Sequence, residues 1–126
     1  MQKKAISSPI AKAIGPYSLG IDTGQTVYLS GQIPLDGATG KLVEGGIEAQ
    51  TEQVFKNIKA LLDAAGLTYK NVVKATVFMT DLSEFAAMNG IYAKHVPEPY
   101  PARSTIQVAA LPMGARVEIE MICVRG

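Results

Sequence analysis

Apolar residues Ile47, Val54, Ile58, Leu61 and Ala65 recur at helical spacings, and Phe55 and Leu62 widen the stripe. That period predicts a helix over residues 47–65. Gly66 stands where a left-handed C-terminal cap is expected. On the polar side, Glu52/Lys56 and Lys59/Asp63 are spaced for i,i+4 ion pairs. Upstream, Gly and Pro punctuate the first forty residues. Residues 17–23 and 26–31 read as a hairpin turning at Thr23-Gly24-Gln25, and residues 36–40 carry turn chemistry. The β-branched stretch 72–80 predicts a strand. Asp81 is placed to cap a second helix, with Glu84 three residues on as in a capping box. Phe85, Met88 and Tyr92 form that helix's stripe, and Pro97, Pro99 and Pro101 end it. Two more strands, 104–108 and 116–124, flank Leu111-Pro112-Met113-Gly114.

The order β-β, α, β, α, β-β predicts an α+β fold, a mixed sheet with two helices packed on one face. In the last strand Val117, Ile119, Met121 and Cys123 alternate with Glu118, Glu120, Ile122 and Val124. Both sides carry apolar residues. A sheet face free of helices and partly apolar predicts self-association. With no linker or repeat, residues 1–126 are expected to form a single domain.

Composition narrows the classes. Apolar residues make up 48% of the chain, which argues against disorder. The net charge is +1 and no basic run exceeds Lys3-Lys4, so nothing electrostatic calls for nucleic acid. Cys123 is the only cysteine; an intrachain disulfide is impossible, and a buried reduced thiol is expected. No apolar run approaches the ~18–20 residues of a membrane span. The N-terminal stretch lacks a signal peptide's apolar region, so the expected compartment is the cytoplasm. Gly40-Lys41 is not a P-loop, because Leu35 and Leu42 replace its required residues. His95 is the only histidine. It excludes multi-histidine metal sites and a two-histidine ribonuclease within one chain, and its place near a helix end predicts a surface or cap residue.

The candidate chemistry centres on Arg103, in a strand of β-formers after Tyr100-Pro101-Ala102. Burying a guanidinium there is costly unless something planar and anionic meets it, so Arg103 is the candidate carboxylate binder. Glu118 and Glu120 project to one face of the last strand. One is placed to pair with Arg116 or a lysine, the other to approach Arg103. Tyr17 offers a phenol to a cleft or packs on the hairpin. Ser30-Gly31 is a turn, or a hydroxyl beside bare backbone that a ligand can approach. Asn89 lies on the second helix near Met88.

Gly15-Pro16-Tyr17-Ser18, the segments 29–34 and 75–82, Pro101-Ala102-Arg103-Ser104-Thr105 and Val117-Glu118-Ile119-Glu120 together resemble the RidA (YjgF) family of reactive intermediate deaminases. The resemblance covers nearly the whole chain. It implies a chorismate-mutase-like fold and a homotrimer whose sheets pack inward, with ligand clefts between subunits. It implies hydrolysis of 2-imino acids such as 2-iminobutanoate and 2-iminopropanoate to 2-oxo acids and ammonia, without cofactor or metal. Carried over, Arg103 takes the substrate carboxylate and Glu118 positions water. Tyr17, Ser30 and Gly31 wall the cleft, and Asn89 faces it. Thr105 stands where many members carry cysteine and can offer its hydroxyl or backbone N–H. Other readings are a carboxylate-binding regulatory protein, a ribonuclease or translation inhibitor, and a chaperone.

Overall fold

A computed structural model describes residues 2–10 and 13–126. Its main sheet has six strands: β1 (Lys4–Ile6), β2 (Gly20–Asp22), β3 (Thr26–Gln32), β6 (Val72–Met79), β7 (Ala102–Gln107) and β8 (Val117–Val124). They lie in the order β1-β2-β3-β8-β6-β7. Only β6 and β7 run parallel; the other neighbours are antiparallel. The short strands β4 (Leu35–Asp36) and β5 (Lys41–Leu42) form a separate hairpin. Helices α1 (Ile47–Ala65) and α2 (Phe85–His95) complete the fold. This is the expected mixed α+β architecture.

Strand periodicity decides which face the helices cover. Val27 and Leu29 of β3, Ala75, Val77 and Met79 of β6, and alternate residues of β8 from Val117 to Cys123 are buried. They form one core cluster with Val54, Phe55, Ile58 and Leu61 of α1 and Met88 and Tyr92 of α2. Tyr28, Lys74, Glu118 and Glu120 project to the other face. Tyr28, Val73 and Ile106 remain exposed large apolar side chains. Helix α1 matches its expected bounds, and Gly66 caps it at φ 72°.

Several expectations need correction. The strand expected over 17–23 is only Gly20–Asp22, because Gly15-Pro16-Tyr17 folds into a tight turn, with Tyr17 N–H donating to the Gly15 carbonyl at 2.8 Å. Strand β1 pairs with β2 and is too short to show a period. Residues 36–40 do turn, but inside the β4–β5 hairpin. Asp81 caps a short 3-10 turn through Ser83 N–H, and Glu84 makes no reciprocal bond. Instead Glu84 accepts from Arg116 at 2.8 Å, which removes Arg116 as a partner for Glu118 or Glu120. Lys59 and Asp63 pair at 3.0 Å as expected. Glu52 does not pair with Lys56; it turns to His95 at 2.6 Å and Lys94 at 3.7 Å on α2. His95 is therefore no simple surface residue: its ring stacks on Phe55, 4.7 Å between centroids. It ties the two helices together. Cys123 is buried, and burial pushes its thiol up to about 11. No helix among the described residues is long and apolar enough to cross a membrane.

Candidate active site

Two half-sites form on opposite faces of the sheet. The first grows from an irregularity in β3. Leu29 pairs with Met121 and Gln32 with Ile119, so three steps on β3 face two on β8. The extra residue falls at Ser30-Gly31, a β-bulge that re-aims the strand. It brings Gly31 against Glu118. A Cβ built on Gly31 would stand 2.7 Å from Glu118 Oε2. Only the bare glycine leaves the carboxylate its position.

Glu118 is half-buried on the helix-free face. Burial first, and the negative charge of Glu120 second, push its carboxyl above the usual range. Tyr17, Gly31, Gln32, Asn57 and Pro112 surround it in a cavity of about 40 Å³. That exceeds the ~15 Å³ needed to seat one water. Asn57 is buried on α1 and its amide donates to the carbonyls of Ile33 (3.2 Å) and Leu35 (2.9 Å), pinning the chain just beyond the bulge. Tyr17 is 46% exposed, and its hydroxyl accepts from Ile14 N–H at 3.4 Å. Ser30 lines a different cavity, with Glu120 and Lys74. Its hydroxyl donates to the Ser18 carbonyl at 2.6 Å, which holds the segment that carries Tyr17.

The second half-site belongs to β7. The proline-rich segment after α2 returns the chain to the sheet, and β7 pairs with β6 as an edge strand. Arg103 is opposite Ala75 and Thr105 opposite Val77, so both face the helices. The guanidinium carbon of Arg103 sits 4.6 Å from the Tyr92 ring centroid and 5.6 Å from that of Phe85. Cation–π contact with two rings holds the group in place. Among the described residues no carboxylate pairs with Arg103. Asn89, Tyr100 and Pro101 border it in a cavity of about 470 Å³. A positive group held beside aromatic rings, with no carboxylate partner among the described residues and an open cavity beside it, has the chemistry to receive a planar anion.

The structure thus places Tyr17, Gly31 and Glu118 together, and Asn89 and Arg103 together, with Thr105 on the same strand face as Arg103. It does not bring the two groups into contact. Glu118 stands opposite Phe78 on the helix-free face, whereas Arg103 stands opposite Ala75 on the helix face. Within one chain, neither glutamate approaches Arg103. The sequence reading missed Asn57, Gln32 and Pro112 as site neighbours and took Tyr92 for a stripe residue only. Asn57 left a signal: it is a polar residue within the apolar stripe of α1, three residues from Val54 and four from Leu61.

Comparison with known proteins shows what the chain is similar to. The family model described as Endoribonuclease L-PSP matches residues 6–125. A 2-iminobutanoate/2-iminopropanoate deaminase of Capra hircus is 48% identical over 114 residues, 90% of this chain and 83% of the relative. The crystal structure of RidA from an Antarctic Psychrobacter superposes with a TM-score of 0.92 at 48% identity, covering 97% of this chain and 99% of that one. E. coli TdcF with bound serine superposes with a TM-score of 0.90 at 41% identity, covering 98% and 99%.

Proposed function

We propose, from the premise that this chain belongs to the Endoribonuclease L-PSP (RidA/YjgF) family, that it is an enzyme that hydrolyses reactive 2-imino acids to 2-oxo acids and ammonia. Its substrates are 2-iminobutanoate and 2-iminopropanoate, those named for its relatives. The observation that carries the reading is the pair of complementary half-sites: a guanidinium over aromatic rings with no carboxylate partner among the described residues, and a carboxylate with raised proton affinity beside a water-sized niche.

The two halves face opposite sides of one sheet, so the complete site is formed between copies. The assembly that would form it is a homotrimer that packs the helix-free faces together. It would cover Tyr28 and Ile106, which are exposed in one chain, and, because Arg103 lies on the edge strand β7, leave Arg103 at the seam, where a neighbour's Glu118 can approach it around the sheet edge. The single domain, the compartment expected from the sequence and the individual residue roles belong to the same proposal.

Arg103 grips the substrate carboxylate through two parallel N–H donors. Asn89 and Thr105 border the bound acid. Glu118 orients a water in its niche and takes a proton as the water oxygen bonds to the carbon of the protonated imine, C=NH2+. The resulting carbinolamine carries OH and NH2 on one carbon. Glu118 returns the proton to that nitrogen, the C–N bond breaks as NH3 leaves, and the C=O forms as the hydroxyl proton passes back to Glu118 and from there to the departing ammonia. Tyr17 stands where its hydroxyl can steady the nitrogen or oxygen. Most of the acceleration comes from positioning, with general-base help worth about 10²–10⁴-fold.

The direct test generates 2-iminobutanoate from threonine with a dehydratase and follows its disappearance. Added protein should shorten the imine's lifetime in proportion to its concentration; an unchanged lifetime would leave only a carboxylate-binding protein. The bulge supplies a further prediction. Gly31→Ala is expected to lower kcat about 10–100-fold while the thermal midpoint moves little, because a displaced Glu118 is costly for catalysis and cheap for the fold. Steady-state kinetics beside a melting curve checks both.

A further inference from the structure

Tyr92 is built into the core more firmly than a cavity wall requires. It is 6% exposed, and its ring meets Phe55 edge-on, 5.7 Å between centroids at 78°. Phe55 is itself fully buried. The platform under Arg103 therefore cannot swing. Yet the Tyr92 hydroxyl is buried without a hydrogen-bond partner, and it is the one such side-chain atom among the described residues. An unpartnered buried hydroxyl destabilises a fold. Phenylalanine would supply the same ring, the same edge-on contact and the same face for the guanidinium without that cost. Packing gives no reason for the oxygen.

The neighbourhood supplies one. Tyr92 and Arg103 line the same cavity, and the Arg103 charge acts directly on the phenol. Burial raises the affinity of Tyr92 for its proton; the Arg103 charge, and then an approach of its N–H donors to the hydroxyl that falls short of hydrogen-bond geometry, pull the other way. The phenol stays neutral at neutral pH, an O–H donor with two acceptor lone pairs. Arg103 has five N–H donors and no acid partner among the described residues. A carboxylate bound by the outer edge of the fork uses two of them, and those that remain need an acceptor from the protein.

We propose that Tyr92 is a positioning residue whose hydroxyl accepts an Arg103 N–H in the ligand-bound state, fixing the guanidinium plane for two-point grip of the carboxylate. The inference rests on the reading of Arg103 as the carboxylate anchor. It makes Tyr92 a residue whose oxygen weakens the empty protein and strengthens the occupied one. A purely structural hydroxyl would move both in the same direction.

The test is Tyr92→Phe, measured against the wild-type protein with 2-oxobutanoate as a stable carboxylate probe and 2-iminobutanoate as substrate. The unliganded variant should melt a few degrees higher. Its dissociation constant for 2-oxobutanoate and its KM for 2-iminobutanoate should each rise about 10-fold, the loss expected from one hydrogen bond to a charged group, with kcat within about two-fold. Unchanged binding, or a lower melting midpoint, would overturn the inference while leaving the deaminase reading intact. A wild-type protein that neither binds 2-oxobutanoate nor shortens the imine's lifetime would overturn both.

Discussion

Arg103→Ala is expected to lower kcat/KM for 2-iminobutanoate by about 10²–10⁴-fold, with the protein still folded and the proposed trimer retained. The magnitude follows from two charge-assisted hydrogen bonds at about 1.5–3 kcal/mol each. The tolerance of the fold follows from the position. Arg103 lies on an edge strand, outside the core cluster, and among the described residues has no ion pair to lose. What remains is contact with Tyr92 and Phe85, worth about 0.5–1 kcal/mol at a partly exposed site. Arg103→Lys keeps the charge but not the fork, and should fall within about tenfold of alanine. Kinetics, a melting curve and size-exclusion chromatography check the set; full activity in either variant would remove Arg103 from the mechanism. The pair also tests the intersubunit site. Arg103→Ala and Glu118→Gln chains, each inactive alone, should regain activity when refolded together. Some junctions in the hybrid then join a native Arg103 to a native Glu118. A site contained in one chain would regain nothing.

Much of this is legible in the sequence. The stripe from Ile47 to Ala65 and the glycine after it specify α1 because helical period and left-handed capping are local properties. The alternation in β8 revealed a half-apolar second face for the same reason. The pairing of α1 with α2 was not legible. Glu52 had two acceptable partners, Lys56 on its own helix and His95 across the interface, and tertiary packing against Phe55 chose the second. The sidedness of the site was hidden as well. Residue parity places Arg103 and Glu118 on opposite faces only once β7 is registered on β6 and β6 on β8. Register between distant strands is set by packing and by bulges, not by the strands alone. The bulge at Ser30-Gly31 looks in sequence like any Ser-Gly turn. Its consequence, a carboxylate held against bare backbone, appears only when β8 lies beside it.

Glu118→Gln separates catalysis from both binding and stability, because Glu118 holds its proton more tightly in the folded chain than in the unfolded one. Burial and the neighbouring Glu120 raise its pKa. Its stabilising contribution is therefore present at low pH and lost as pH rises from the ordinary carboxylate value through the raised folded one. At neutral pH the ionised carboxylate is a cost to the fold, and glutamine, neutral and nearly isosteric, should raise the melting midpoint. Catalysis runs the other way. Only the ionised form can take the water proton, so wild-type kcat/KM should fall as pH drops through the raised pKa, and the variant should lack that limb. Glutamine can still hold a water but cannot deprotonate it. The expected loss in kcat is about 10²–10⁴-fold, while the dissociation constant for 2-oxobutanoate, set by Arg103, should change by less than about threefold. A pH–rate profile, a binding isotherm and a melting curve on one preparation suffice. If binding weakened as much as turnover, or the midpoint fell, Glu118 would be a structural carboxylate and the niche beside Gly31 would need another base.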